Sequence, residues 1–394
     1  MNKKFFLVCI VMVMVIALIA GCSPPQVTEP ARPPTPAAPA APAPAPIPAP
    51  IPAPTPATPT TPPQTPQPTV TKPIELRFAT PVPETGGKHI HGHAPWAKRV
   101  EEATNGRVKM ILYPGGSLAA EKDMFDAVVG GITDIGWFDA AMAAGRFPLT
   151  TGVYSMPGAG IGDATIASWV IWNLYKNTPE IQAEFSDVQV LLLHAFAPLA
   201  IGTKSAPVRS MDDVKGLKLR CPPGGTAELV DLAGGTVVSM VPKEIYISLE
   251  RGILDGNVMG WEGHGAFRIT EIAKHFTPVP AFGGPQFVMA VNKDKWNSLP
   301  DDVKEGILSV SGDEGALLYG RGGDISSQEV IDEIKSFGGQ IIQMSPAEEE
   351  RWNKLAEPLQ TKILGDLKTK GLPAEKTWQE MLRLVKQYKQ NPVK

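Results

Sequence analysis

Gly216-Leu217-Lys218-Leu219-Arg220-Cys221-Pro222-Pro223 reads as a short apolar strand that ends in one arginine and is then stopped by a proline pair. Further on comes Glu244-Ile-Tyr246-Ile-Ser-Leu-Glu-Arg-Gly252-Ile-Leu-Asp255-Gly256, a helix running into the next strand. An arginine at a strand end is a rigid fork of five N–H donors that can hold a carboxylate through two parallel hydrogen bonds. If that carboxylate belongs to a ligand, the chain is a receptor for organic acids. If it belongs to a neighbouring Asp or Glu, Arg220 is an internal ion pair.

Working outward, strands and helices alternate. Residues 74–79 and 108–113 alternate as strands, with a polar loop at Gly86-Gly87 and a helix through Trp96, Val100 and Ala103 between them. A helix over 124–129 and a strand over 132–138 follow. Helices are expected over 164–176, 226–232 and 244–251. Strands are expected over 188–196, 217–220, 236–240, 254–259 and 286–292. The C-terminal part is mostly helical; Ser345-Pro-Ala-Glu348 reads as a capping box with proline at the first helical position, and the final helix spans about 375–388. Short loops between alternating elements argue for an α/β sheet with helices on its faces.

The first 22 residues read as an export signal: Lys3 and Lys4, an apolar run from Phe5 to Ile19, then Ile19-Ala20-Gly21-Cys22. The run is shorter than the roughly 20 residues a membrane span needs. The pattern resembles a bacterial lipobox with Cys22 lipidated, so the membrane is reached through lipid only. Residues 23–73 are Pro, Ala and Thr with almost no charge, a polyproline stalk that could reach about 150 Å. Cys221 is the one cysteine left in the folded part, which excludes a disulfide or a cysteine metal cluster there. The formal charge is −3 with both signs interspersed, and nothing suggests nucleic acid.

His89, His91 and His93 alternate, so a strand would set three imidazoles on one face, the pattern behind an alternative reading as a metal-binding lipoprotein. Gly-rich pairs make neither a dinucleotide fingerprint nor a P-loop, and no cofactor is expected. Glu262 and His264 could form an acid–base pair, yet no nucleophile accompanies them and no enzyme is expected. Trp137, Phe138, Trp261 and Phe282 fall near strand ends, where α/β sheets bind ligands.

Ala79-Thr80, Trp96-Ala-Lys-Arg-Val100, Thr104-Asn-Gly-Arg107-Val and Tyr113-Pro-Gly-Gly-Ser-Leu118 occur in order with Phe147-Pro-Leu149, Val214-Lys-Gly-Leu-Lys-Leu-Arg220, Pro242-Lys-Glu-Ile-Tyr246 and Arg251-Gly-Ile-Leu-Asp255-Gly256. The stretch from Asn292 to Leu299-Pro300 fits as well. Together, from about Ile74 onward, they resemble the solute receptors of tripartite ATP-independent periplasmic (TRAP) transporters. The resemblance implies a two-lobed α/β periplasmic-binding-protein-like fold with hinges and a long connecting helix. One lobe would hold about 74–197 and 285–325, the other about 198–284, with the C-terminal segments across both. It implies a lipid-anchored extracytoplasmic receptor, carrying a small organic acid to membrane permease subunits or, alternatively, to a signalling partner. Arg220 would grip the ligand carboxylate.

The departures from the family pattern narrow the ligand. Many members read Gln-Glu-Asn after the Asp-Gly pair; here Asn257-Val258-Met259 stands there, followed by Gly260-Trp261-Glu262. The second arginine of those members is missing around 196–202. A monocarboxylate or 2-oxo acid is therefore expected, aromatic ones included, with sialic acid disfavoured. Trp137, Phe138, Trp261 and Phe282 would wall the pocket, and Asn257, His89 or Gln286 would hydrogen-bond its polar groups.

Overall fold

The structure, a computed structural model, describes residues 72–143 and 145–393. The export signal, Cys22 and the stalk up to residue 71 lie outside the described residues. Two mixed sheets organise the rest. The first has β1 (Ile74–Ala79), β2 (Val108–Tyr113), β3 (Ile135–Asp139), β4 (Val188–Ala195) and β10 (Gln286–Asn292), in the order β2-β1-β3-β10-β4. β1 runs parallel to β2 and β3, whereas β10 is antiparallel to β3 and β4. Every residue of β10 is buried, as its nearly continuous apolar run requires of a strand covered on both faces. Successive residues go to opposite cores: Phe138, Val288 and Ala290 to one, Trp137, Phe287, Met289 and Val291 to the other.

The second sheet has β5 (Ala200–Thr203), β6 (Lys218–Arg220), β7 (Thr236–Val238), β8 (Gly256–Met259), β9 (His275–Pro278) and β11 (Gln340–Ile341), in the order β11-β9-β5-β8-β6-β7. β6 is parallel to β7 and β8; β5 is antiparallel to β8 and β9. β5, β9 and β11 were not expected from the sequence. They span only two to four residues each, too few for a period-2 pattern, and they exist because neighbouring strands supply their hydrogen bonds.

The chain passes between the sheets three times, after β4, before β10 and between β10 and β11, and the first two of these crossings lie together. These two crossings are tied by Phe196 N–H to the Pro285 carbonyl (3.3 Å) and Leu199 N–H to that of Gly283 (3.2 Å). A Cβ at Gly284 would come within 2.5 Å of the Phe196 carbonyl oxygen, so glycine lets the crossings meet. Two long helices bind the whole together. Gly312–Ser336 packs Gly320 and Gly323 against the start of the Ala164–Asn177 helix, whose N-terminal N–H groups are capped by the Asp324 carboxylate (Ala164 N–H, 2.8 Å). Pro346–Thr369 buries Trp352, Ala356 and Leu359 in the core of the second sheet and Leu367 in a core of the first.

Three local expectations change. The His89–His93 segment is helical, not extended, and continues into the Ala94–Ala103 helix. β3 starts at Ile135 because Gly131 takes φ +69° and Asp134 is held by the Arg77 backbone N–H (2.8 Å). The capping box is half made. Ser345 Oγ accepts from Glu348 N–H (3.3 Å), but the Glu348 carboxylate turns to Met211 N–H (2.9 Å) and Arg351.

Candidate ligand site

β6 is only three residues long, and its last side chain, Arg220, reaches a cavity of about 360 Å³ between the sheets. Pro222 and Pro223 end the strand, Gly224 turns at φ +107°, and the Gly225–Leu232 helix begins. All four line the cavity. The opening turn of that helix, with Gly225 and Thr226 in the wall, brings partial positive charge to the same space. The loop is pinned by Thr226 Oγ1 donating to the Phe282 carbonyl (2.9 Å).

Arg220 is 8 % exposed, and its Nε donates to the Met240 carbonyl at 3.3 Å. Among the described residues no carboxylate pairs with it. Burial holds its guanidinium below the ordinary arginine value, and the neighbouring Cys221 thiol, not a carboxylate, pulls the other way. Cys221 beside it is buried, and burial pushes its thiol up to about 12, so it is no nucleophile.

Asn257 stands directly opposite Arg220 in the β6–β8 register. It is fully buried, and neither Oδ1 nor Nδ2 has a hydrogen-bond partner among the described residues. Gln286, at the start of β10, lines the cavity from the first sheet; its Oε1 accepts from Ser155 Oγ (3.0 Å) while Nε2 is unpartnered. Phe282 lines the same cavity, edge-on to Trp352. Buried polar groups are rarely left unpaired; of these, Arg220 and Gln286 line the cavity, whereas Asn257 lies behind its wall.

A smaller cavity of about 190 Å³ shares Met259, Gly260 and Pro285 as walls with the larger one and is lined further by Trp261, Phe196, Lys88 and Glu262. Of the expected residues, Arg220, Phe282 and Gln286 line the larger cavity and Trp261 the smaller, adjoining one. Trp137 and Phe138 line neither. Trp137 stacks on Phe287 at 4.4 Å and donates to His194 Nε2 at 2.7 Å; Phe138 packs edge-on to Phe125.

The helix separates His91 from the other two, while His89 and His93, four residues apart on one face, meet edge-on with ring centroids 6.2 Å apart. His91 meets Glu329 (3.1 Å), buried His93 bridges Thr80 Oγ1 and the Tyr319 hydroxyl (2.7 Å), and His89 keeps an unpartnered Nδ1 without lining either cavity. Among the described residues no cluster of His, Cys, Asp or Glu is placed to hold a metal ion. His264 lies near the Ala200 carbonyl (3.3 Å) with its pKa driven down to about 4 by burial, and makes no hydrogen bond with Glu262.

Sequence reasoning missed Lys88, Ser155 and Asp139 as wall residues. Lys88 follows a Gly-Gly pair that reads as a loop, and nothing local marks Asp139. The cavity brings Asp139 within the field of Glu121, and burial above all pushes its carboxyl up to about 6.

Comparison with known proteins agrees with this architecture. The family described as "Bacterial extracellular solute-binding protein, family 7" matches residues 78–365. A TRAP periplasmic solute-binding protein from Desulfovibrio salexigens, an open complex, superimposes with a TM-score of 0.74 at 29 % identity, over 82 % of this chain and 98 % of that one. A marine-metagenome TRAP solute-binding protein specific for aromatic acid ligands, in complex with 3-hydroxybenzoate, gives 0.72 at 26 % identity over 81 % and 99 %. The monocarboxylate 2-oxoacid-binding periplasmic protein of a Nostoc species is 27 % identical over 69 % of this chain and 74 % of its own length.

Proposed function

The chain belongs to the bacterial extracellular solute-binding proteins of family 7, and we propose that it captures a small organic acid outside the cytoplasm and delivers it to a TRAP-type permease for uptake. The family consists of receptors, not enzymes. No helix among the described residues is long and apolar enough to cross a membrane, and Cys22 would supply the anchor through lipid.

One observation carries the reading. Arg220 is a buried arginine at a cavity wall with no counter-ion among the described residues. A buried charge is costly unless it is paired and hydrogen-bonded, so a ligand carboxylate would complete the site. Gln286 and the first turn of the Gly225–Leu232 helix would take its remaining lone pairs, with Asn257 behind the wall beside Arg220. Closure of the second sheet onto the first, bending at the crossings near Phe196–Leu199 and Gly283–Pro285, would exclude water and strengthen the pairing.

The ligand we favour is a monocarboxylate or 2-oxo acid, aromatic acids included. One cavity arginine grips one carboxylate, and Phe282, Met259 and Trp261 offer apolar walls to a ring. A relative that binds monocarboxylate 2-oxoacids and a structural neighbour specific for aromatic acids support the same class.

The test is a thermal-shift screen of organic acids against wild type and Arg220→Ala. Wild type should be stabilised by a subset of monocarboxylates, and the variant by none. Equal stabilisation of the variant would sink the anchor, and stabilisation by zinc alone would revive the histidine reading.

A further inference from the structure

The smaller cavity contains a charge pair that the carboxylate anchor does not use. Lys88 Nζ lies 3.2 Å from Glu262 Oε2, and both side chains are mostly covered. The ammonium also sits over the rings of Phe196 (4.1 Å) and Phe287 (4.7 Å), which fix it in place. The other carboxylate oxygen, Glu262 Oε1, is buried without a hydrogen-bond partner among the described residues. An ammonium has three N–H donors and an ionised carboxylate only acceptor sites. The pair therefore presents a donor and a buried, unused acceptor side by side, beside the aromatic faces of Phe196 and Trp261.

The group that satisfies both is a neutral hydroxyl, which accepts from Lys88 and donates to Glu262 Oε1. A second carboxylate could use Lys88 but would face Glu262, with Glu121 and Asp139 also in the field of the lysine. A ligand ammonium would face Lys88. Resting on the carboxylate-receptor reading above, we infer that Lys88 and Glu262 form a subsite for a hydroxyl at the far end of the bound acid, so that the chain selects hydroxylated monocarboxylates over both their unsubstituted parents and dicarboxylates. The two cavities adjoin, with Met259, Gly260 and Pro285 as common walls, and an acid held at Arg220 would reach this pair past those three residues.

Calorimetric titration of the full chain at neutral pH tests this with two matched series. The aromatic series is benzoate, 3-hydroxybenzoate and benzene-1,3-dicarboxylate. The aliphatic series is pentanoate, 5-hydroxypentanoate and pentanedioate. In a series that binds, the hydroxylated acid should be at least about tenfold tighter than its parent, the effect of one hydrogen bond to a charged group. The dicarboxylate should be no tighter than the parent. Glu262→Gln should collapse the hydroxyl-to-parent ratio and improve the dicarboxylate relative to both. Parent and hydroxylated acid binding alike, a dicarboxylate binding tightest, or a ratio untouched in Glu262→Gln would each overturn the subsite. If Arg220→Ala abolishes binding while these results occur, the subsite alone falls. If Arg220→Ala binds as well as wild type, or no acid of either series binds, the anchor falls and the subsite with it.

Discussion

Arg77 and Arg220 are both strand arginines, and they have opposite fates. Arg77, in β1, spends its fork internally: Nε and Nη2 meet the two oxygens of Asp134 (3.1 and 3.0 Å), while Nη1 and Nη2 reach the Ile132 and Gly131 carbonyls. Its pKa is raised by the Asp134 bond, and Asp134 is held below the usual carboxylate range despite its burial. Among the described residues the Arg220 side chain makes one hydrogen bond, to a carbonyl, and burial lowers its pKa. The contrast separates an arginine whose fork is spent inside the fold from one that borders a cavity. Residue type is the same, but Arg77 lies within β1 with its side chain partly exposed, whereas Arg220 ends β6 and is buried, and their partners differ.

Arg220→Ala should break the comparison most sharply. Carboxylate affinity should fall at least about 100-fold by calorimetry, while the ligand-free Tm holds or rises, since a buried unpaired charge is removed. A large Tm loss without ligand would make Arg220 structural after all. Arg220→Lys keeps the charge but loses the planar fork, and about a tenfold loss of affinity is expected.

Asp134→Ala should do the reverse. The ligand-free fold should lose about 1–3 kcal/mol, discounted because Arg77 is partly solvated, with affinity unmoved. The sign with pH follows from the depressed Asp134 value. Its stabilisation is present at neutral pH and is lost as pH falls below the ordinary carboxylate value of about 4 and through the lower folded one. Denaturant titrations of wild type and Asp134→Ala should therefore converge in strong acid; a constant gap would contradict the pairing.

The smallest expected effect belongs to Asp139. With its carboxyl pushed up to about 6, it is charged at pH 7 and protonated at pH 5, where it no longer repels a bound anion. Affinity should rise a few-fold, on the order of 0.5–1 kcal/mol, between those values, and Asp139→Asn should flatten the profile.

Much of the fold could be read from the chain. β10 was legible because seven consecutive buried residues leave a continuous apolar run, and β1 and β2 because one-sided burial leaves alternation. Arg220 was legible as a site candidate because strand, arginine and proline pair adjoin in sequence. His89–His93 misled, since alternation of a polar residue type has no period of burial behind it. Trp137 and Phe138 were read toward the pocket, yet β3 is central and covered on both faces, so both rings are consumed by cores. Lys88 and Glu262 meet across a separation no local pattern can report.

The amino-acid order alone determined the alternation of strands and helices, the export signal pattern and the strand-end arginine, because each is written in residues within a few positions of one another. Only the tertiary structure decided that Asp134 goes to Arg77, that no carboxylate among the described residues reaches Arg220, and that Lys88 and Glu262 share a cavity. Those outcomes depend on which elements pack together, and the energy of a charge is set by what surrounds it in space.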